Sequence, residues 1–230
     1  YDHWRGVFYP DELPKKRWFD HYQSQFDTVE INNTFYKLPD ALTLDQWRQQ
    51  VPDTFCYVLK YSRYGSHIKR LKDPQLHVDH FMDRAGRLGP TLGPILVQLP
   101  PHWHRNLERL DLFLAATPAP QRFAVEFRDQ SWLCDETYDV LRRHNAALVV
   151  HDLIEKHPRI VTADWVYLRF HGPEAGEAYM GSYSPQALAG IARRIKGHLA
   201  EGRDVFAYFN NDAEGCAVRN ALDLRRYVEY

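Results

Sequence analysis

Seven short β-prone runs, each with a polar residue at its carboxyl end, recur along this chain and leave few ways to fold it. They run through Val29 and Ile31, Phe55 to Lys60, Ile95 to Pro101, Phe123 to Phe127, Ala146 to Asp152, Trp165 to Gly172, and Asp204 to Asp212. The residues at those ends are Asn32, Lys60, Gln98, Arg128, Asp152, His171 and the pair Asn210 and Asn211. Between the runs, apolar residues return at helical spacing, as in Leu107, Leu110 and Leu114 or Leu188, Ile191 and Ile195. Strand-then-helix repetition requires right-handed crossovers and a parallel sheet. The expected class is therefore α/β, a TIM-type β/α barrel with parallel strands and a helical segment after each. A barrel of this kind usually has eight strands. The helix expected over residues 15–25 has no strand before it, so a first strand is expected upstream of Tyr1.

Residues 122–132 state the functional problem most sharply. Side chains two apart on a strand share a face, so Ala124, Glu126 and Arg128 point one way while Phe123, Val125 and Phe127 point the other. A carboxylate and a guanidinium thus rise together from the end of a buried strand. Without partners, each would cost several kcal/mol to bury. Residues 28–31 repeat the device, with Glu30 opposite Val29 and Ile31, and Arg169 lies two residues before His171 on a third strand. Strand ends on that side carry the active sites of β/α barrels. Several charges gathered there are a poor way to stabilise a fold and a good way to bind an anion or move a proton.

Glu30 and Glu126 have the chemistry of an acid/base pair, and His171 that of a proton shuttle. Lys60 suits an ion pair or a phosphate clamp, or a Schiff-base nucleophile if desolvated. Arg128 and Arg169 offer bidentate capture of phosphate or carboxylate. Asn32, Gln98, Asp152, Asn210 and Asn211 complete the set as substrate-binding groups, with Trp132, Tyr183 and Trp4 as aromatic walls; core packing is the plain alternative for these rings. His102 and His104 have metal-site spacing but no evident carboxylate support, so neither metal nor cofactor is expected.

At 230 residues with 44% apolar and 14% aromatic side chains, the chain is expected to form one domain over 1–230. No apolar run approaches the roughly eighteen residues of a membrane span. Three cysteines, Cys56, Cys134 and Cys216, are odd in number and far apart, which suits a reducing cytoplasm. A net charge of −1 argues against a general polyanion binder. One basic segment stands out locally: Lys60, Arg63, His67, Lys69, Arg70 and Lys72, with Tyr61 and Tyr64 interleaved. It reads either as a solvated loop or as a phosphate- or strand-binding lip.

Five ordered motifs carry a resemblance: Trp4-Arg-Gly-Val-Phe-Tyr-Pro, Val29-Glu-Ile-Asn-Asn-Thr-Phe-Tyr, Val97-Gln-Leu-Pro-Pro, Val125-Glu-Phe-Arg-Asp-Gln-Ser-Trp and Leu168-Arg-Phe-His-Gly. Together they span essentially the whole chain, which resembles the YecE-like family, domain of unknown function 72. The resemblance implies a β/α barrel whose first strand ends just before the position of Tyr1. It implies no reaction. Three functions remain open. One is an enzyme, hydrolase, lyase or isomerase, acting by acid/base chemistry on a small phosphorylated or anionic, sugar-like substrate. The others are a nucleic-acid-binding or nucleic-acid-processing protein and a noncatalytic ligand-binding scaffold.

Overall fold

The computed structural model describes residues 1–173 and 178–230. Seven parallel strands follow one another in the sheet in sequence order. They are β1 (Thr28–Ile31), β2 (Cys56–Lys60), β3 (Leu92–Gln98), β4 (Phe123–Glu126), β5 (Ala147–His151), β6 (Trp165–Phe170) and β7 (Asp204–Phe209). The helices are α1 (Trp18–Gln25), α2 (Ala41–Gln49), α3 (Pro74–Ala85), α4 (Leu107–Ala115), α5 (Asp135–Arg143), α6 (Pro185–Ala200) and α7 (Cys216–Glu229). By contacts the chain forms two compact units, Tyr22–Leu148 and Tyr1–His21 with Val149–Tyr230.

In the Tyr22–Leu148 unit the register decides which side chains meet. Glu30 is level with Val58, Lys60 with Leu96, and Gln98 with Glu126. Level residues of a parallel pair point the same way, so Glu30, Lys60, Gln98 and Glu126 share one face, each strand offset from the last. The other face is apolar: Ile95, Val97, Phe123 and Val125 are almost fully buried. Asp40 and Asn106 cap α2 and α4 by accepting the amides of Thr43 and Arg109.

The sequence places Gly93-Pro94 among the breakers that end the helix through Leu76, Phe81, Ala85 and Leu88, ahead of a strand from Ile95; the pair instead lies inside β3. Proline has no N–H to give to a ladder and is tolerated at a bulge. The β2–β3 register indeed shifts between Tyr57↔Leu92 and Leu59↔Ile95, leaving an extra residue in β3. Gly93 is required for a different reason: a Cβ there would run into Cys56 Sγ and come within 3.2 Å of the Tyr57 carbonyl.

In the other unit, β6 and β7 pair over six levels, from Trp165↔Asp204 to Phe170↔Phe209. Leu168, Phe170, Val205, Ala207 and Phe209 pack against Leu188, Ile191, Ala192 and Ile195 of α6 and Leu224 of α7. Ser184 caps α6 by accepting the Ala187 amide, with Pro185 at its first position, as the sequence predicts. The expectation of a helix after every strand is corrected at β5. Residues 152–164 contain no helix. Pro158 and the β-branched run Ile160, Val161 and Thr162 deny one, since proline removes a donor and branching stiffens χ1.

Candidate functional site

The Tyr22–Leu148 unit gathers its polar strand ends into paired contacts. Glu126 is fully buried and is answered by the Arg128 guanidinium, which donates from Nε to Oε1. This is the partner that burial of a carboxylate demands. Lys60 Nζ donates to Gln98 Oε1 at 2.6 Å and stands 4.6 Å from the centre of the Phe35 ring, a cation–π contact. Asn32 donates to Glu30 at 3.3 Å. Thr34 ties the end of β1 to the end of β2 by donating to the carbonyls of Ile31 and Lys60.

His67 joins this cluster, a position that the basic run of its sequence neighbours conceals. Its ring meets Phe35 edge-on at 4.9 Å and its Nδ1 lies 2.9 Å from Ser66 Oγ. Burial first, and then the positive charges of Lys60, Arg63 and Arg128, push its pKa down to about 4. A neutral imidazole among cations marks a neighbourhood where negative charge is favoured.

Trp132 is corrected: it is a core residue rather than a wall of a pocket. It is wholly buried, stacks on Phe127 at 5.0 Å and donates from its indole to the Trp103 carbonyl. Of the two tyrosines in the basic segment, Tyr61 is buried against Phe81 and Phe113 while Tyr64 is exposed. The aromatic interleaving read from the sequence is therefore half a surface feature.

The second unit builds a chain of hydrogen bonds around Asp152, the first residue after β5. Asp152 Oδ1 accepts from the His171 amide at 2.9 Å and lies 3.1 Å from His171 Nδ1, while Oδ2 accepts the Tyr183 hydroxyl. Tyr183 in turn accepts the Gly172 amide at 2.8 Å. Burial pushes the Asp152 carboxyl up, but the bonds from His171 and Tyr183 outweigh it and hold the group below its ordinary value. The Tyr183 hydroxyl is pushed up, by burial and then by that carboxylate. Tyr183 thus holds Asp152 in position and also lines the cavity beside it.

In the tautomer that donates from Nδ1 to the carboxylate, Nε2 of His171 carries a lone pair. Nε2 is buried and has no hydrogen-bond partner. His171, Asp152, Tyr183 and Arg169 line a cavity of about 980 Å³ in this unit. Arg169, almost fully buried, donates to Asn210 Oδ1 at 3.1 Å. Asn211 is corrected from substrate contact to scaffold: fully buried, it donates to the Gly181 carbonyl and to Asn220 Oδ1.

Asn220 is the group that sequence reasoning missed. It accepts from the Tyr183 amide and from Asn211, and donates to Ser182 at 3.0 Å. Its signal was a poor helix former on the buried stripe of α7, between Ala217 and Leu224. Trp4 donates from its indole to Asp212 at 2.9 Å, which fixes the N-terminal segment to the residues after β7. His104 lies 3.5 Å from Asp129. Among the described residues, no group of three or more His, Cys, Asp or Glu is placed to hold a metal ion, and no helix is long and apolar enough to cross a membrane.

A family described as a protein of unknown function, DUF72, matches residues 1–230. The UPF0759 protein YunF of Bacillus subtilis is 23% identical over 96% of this chain and 90% of its own length. Among solved structures, a DUF72 family protein of Thermotoga maritima superposes with a TM-score of 0.80 at 26% identity, over all of this chain and 96% of that one. Another, from Enterococcus faecalis, gives 0.81 at 20% identity over 91% and 87%. The fold class is α/β, a TIM-type β/α barrel with parallel strands.

Proposed function

The chain belongs to the DUF72 family, and from that premise we propose that it is an enzyme acting by acid/base chemistry on a small anionic substrate, with His171 as the group that moves the proton. The observation that carries this reading is an imidazole that lines the cavity, held by a carboxylate on one nitrogen, with the other buried and without a hydrogen-bond partner. Asp152 fixes the tautomer and stabilises the imidazolium formed when Nε2 takes a proton from substrate. Tyr183 holds Asp152 in place, and Arg169 supplies positive charge on the same cavity wall. Glu126 and Lys60 answer their own neighbours in pairs with Arg128 and Gln98, which favours a binding role over proton transfer for these two. The same holds for Glu30, which accepts from Asn32.

The test is a thermal-shift panel of sugar phosphates, sugar acids and simple carboxylates, followed by turnover assays on the ligands that bind. A ligand at one hundred times its Kd stabilises by about 2.7 kcal/mol, which is readily seen. His171→Asn should keep the shift and lose turnover by at least about a hundredfold, the usual scale of a lost acid/base group. A parent that binds no anion, or a variant that turns over as the parent does, would refute the reading.

Nucleic-acid processing is the second reading, supported by exposed Arg63, Tyr64 and Arg70, with Lys69 5.6 Å from the Tyr64 ring. Binding of short strands at two salt concentrations tests it. Such contacts weaken steeply with salt.

A further inference from the structure

The missing helix after β5 leaves space on the sheet face that α6 covers. The 980 Å³ cavity runs into that space. Beyond the His171 end its walls are mixed: Val150 and Leu168 from the sheet, Ile154 and Ile160 from the segment after β5, and Ile191 from α6 form an apolar track, with His157 and Gln186 beside it. Its length follows from the helix that borders it. Tyr183, just before α6, bonds to Asp152 and Gly172 beside His171, whereas Arg194 lies ten residues beyond Ser184 on the same cavity wall. At 1.5 Å per residue, that is about 15 Å of helix.

The far end is cationic. Arg159 and Arg194 both line it, and among the described residues neither forms an ion pair. Partial burial and the nearby Arg159 guanidinium both lower the proton affinity of Arg194. Of the acidic groups on the same wall, Glu201 is paired with Arg203, and Glu155 is solvent-exposed beside Lys156. His198 adds a buried Nδ1 with no partner.

Two glycines keep the helix wall open. Gly190 and Gly197 face this cavity from within α6, where glycine is a poor helix former. Their packing does not require it: a Cβ at Gly197 would meet nothing within 4 Å, and one at Gly190 only Arg194 at 3.9 Å.

We infer that the substrate is an elongated carboxylate with a fatty-acid-like apolar stretch, its carboxylate held by Arg159 and Arg194, the apolar stretch lying between α6 and the β5–β6 face, and a polar, ionisable end reaching His171. The inference rests on the reading of that cavity as the reacting site, but binding alone tests it. Isothermal titration with hexanoate, octanoate and decanoate, and with decanol as the uncharged comparison, is the experiment. Affinity should rise about fourfold per added methylene as apolar surface is buried. Decanol should bind at least about tenfold more weakly than decanoate, and so should decanoate to the Arg159→Ala/Arg194→Ala variant. Gly190→Leu, which fills the channel, should abolish decanoate binding with its circular dichroism unchanged.

His171→Asn should leave decanoate affinity within about twofold of the parent, so loss of proton transfer and loss of binding are told apart. Decanoate binding no tighter than hexanoate, or binding unchanged without both arginines, would overturn the inference. So would parent-like binding by folded Gly190→Leu.

Discussion

The hydroxyl of Tyr183 shows how much a single polar atom does in this protein. It donates to Asp152 and accepts from the Gly172 amide. Tyr183→Phe removes both bonds and should cost about 0.5–1.5 kcal/mol in urea unfolding. The same substitution should broaden the nitrogen resonances of the His171 ring as the tautomer preference relaxes. An unchanged tautomer would mean that Asp152 is held without its help. Asn220→Ala removes three hydrogen bonds at once, to the Tyr183 backbone, Asn211 and Ser182. A loss of about 2–4 kcal/mol is expected, read from the same unfolding curves. At this scale the sequence was informative wherever a charge broke an apolar alternation, as at Glu126 and Arg169, because a strand fixes which way each side chain points. It was silent on Asn220, and it placed His67 only within a basic run, because their partners come from distant parts of the chain or from a turn with no period.

Among the elements, α6 and β3 put glycine to opposite uses. Gly197→Ala adds a methyl into open space in a helix and should stabilise by up to about 1 kcal/mol. Gly93→Ala forces a methyl into Cys56 and should destabilise by about 1–3 kcal/mol. Melting temperatures of the two variants should therefore move in opposite directions, and a shift of the same sign would contradict the packing described for one of them. Strand and helix placement was legible because periods of two and of 3.6 are written in the apolar residues themselves. Gly93-Pro94 misled because a breaker of helices is also what a bulged strand tolerates. The empty stretch after β5 misled because the alternation of strands and helices was extended past a proline and a β-branched run that should have interrupted it.

For the molecule as a whole, acid is the condition to which the two units respond alike. In the Tyr22–Leu148 unit, His67 has a folded pKa of about 4, against roughly 6.5 when unfolded. The unfolded chain thus takes up a proton that the folded one refuses, so this contribution is full above pH 6.5 and drains away as the pH falls toward 4. In the other unit His198 shifts the same way, through burial and then Arg203 and Arg194. Asp152, with its carboxyl below the ordinary value, contributes stability above the normal carboxylate range that is lost as pH falls through its folded value. Urea midpoints should decline steadily from pH 7 to pH 4.5, and His67→Gln should decline less than the parent. Equal declines would remove His67 from the account. Strand number, order and direction were all legible at this scale, because they follow from repetition. The association of particular residues into the Asp152 and Glu126 clusters was legible only as a shared strand end. The stretch 152–164 has a consequence for descent as well as for shape. Past Asp152, and bound by neither a ladder nor a helical repeat, it can lengthen or shorten without disturbing register. Sequence change in that stretch can therefore reshape the cavity it lines while the paired strands keep their places.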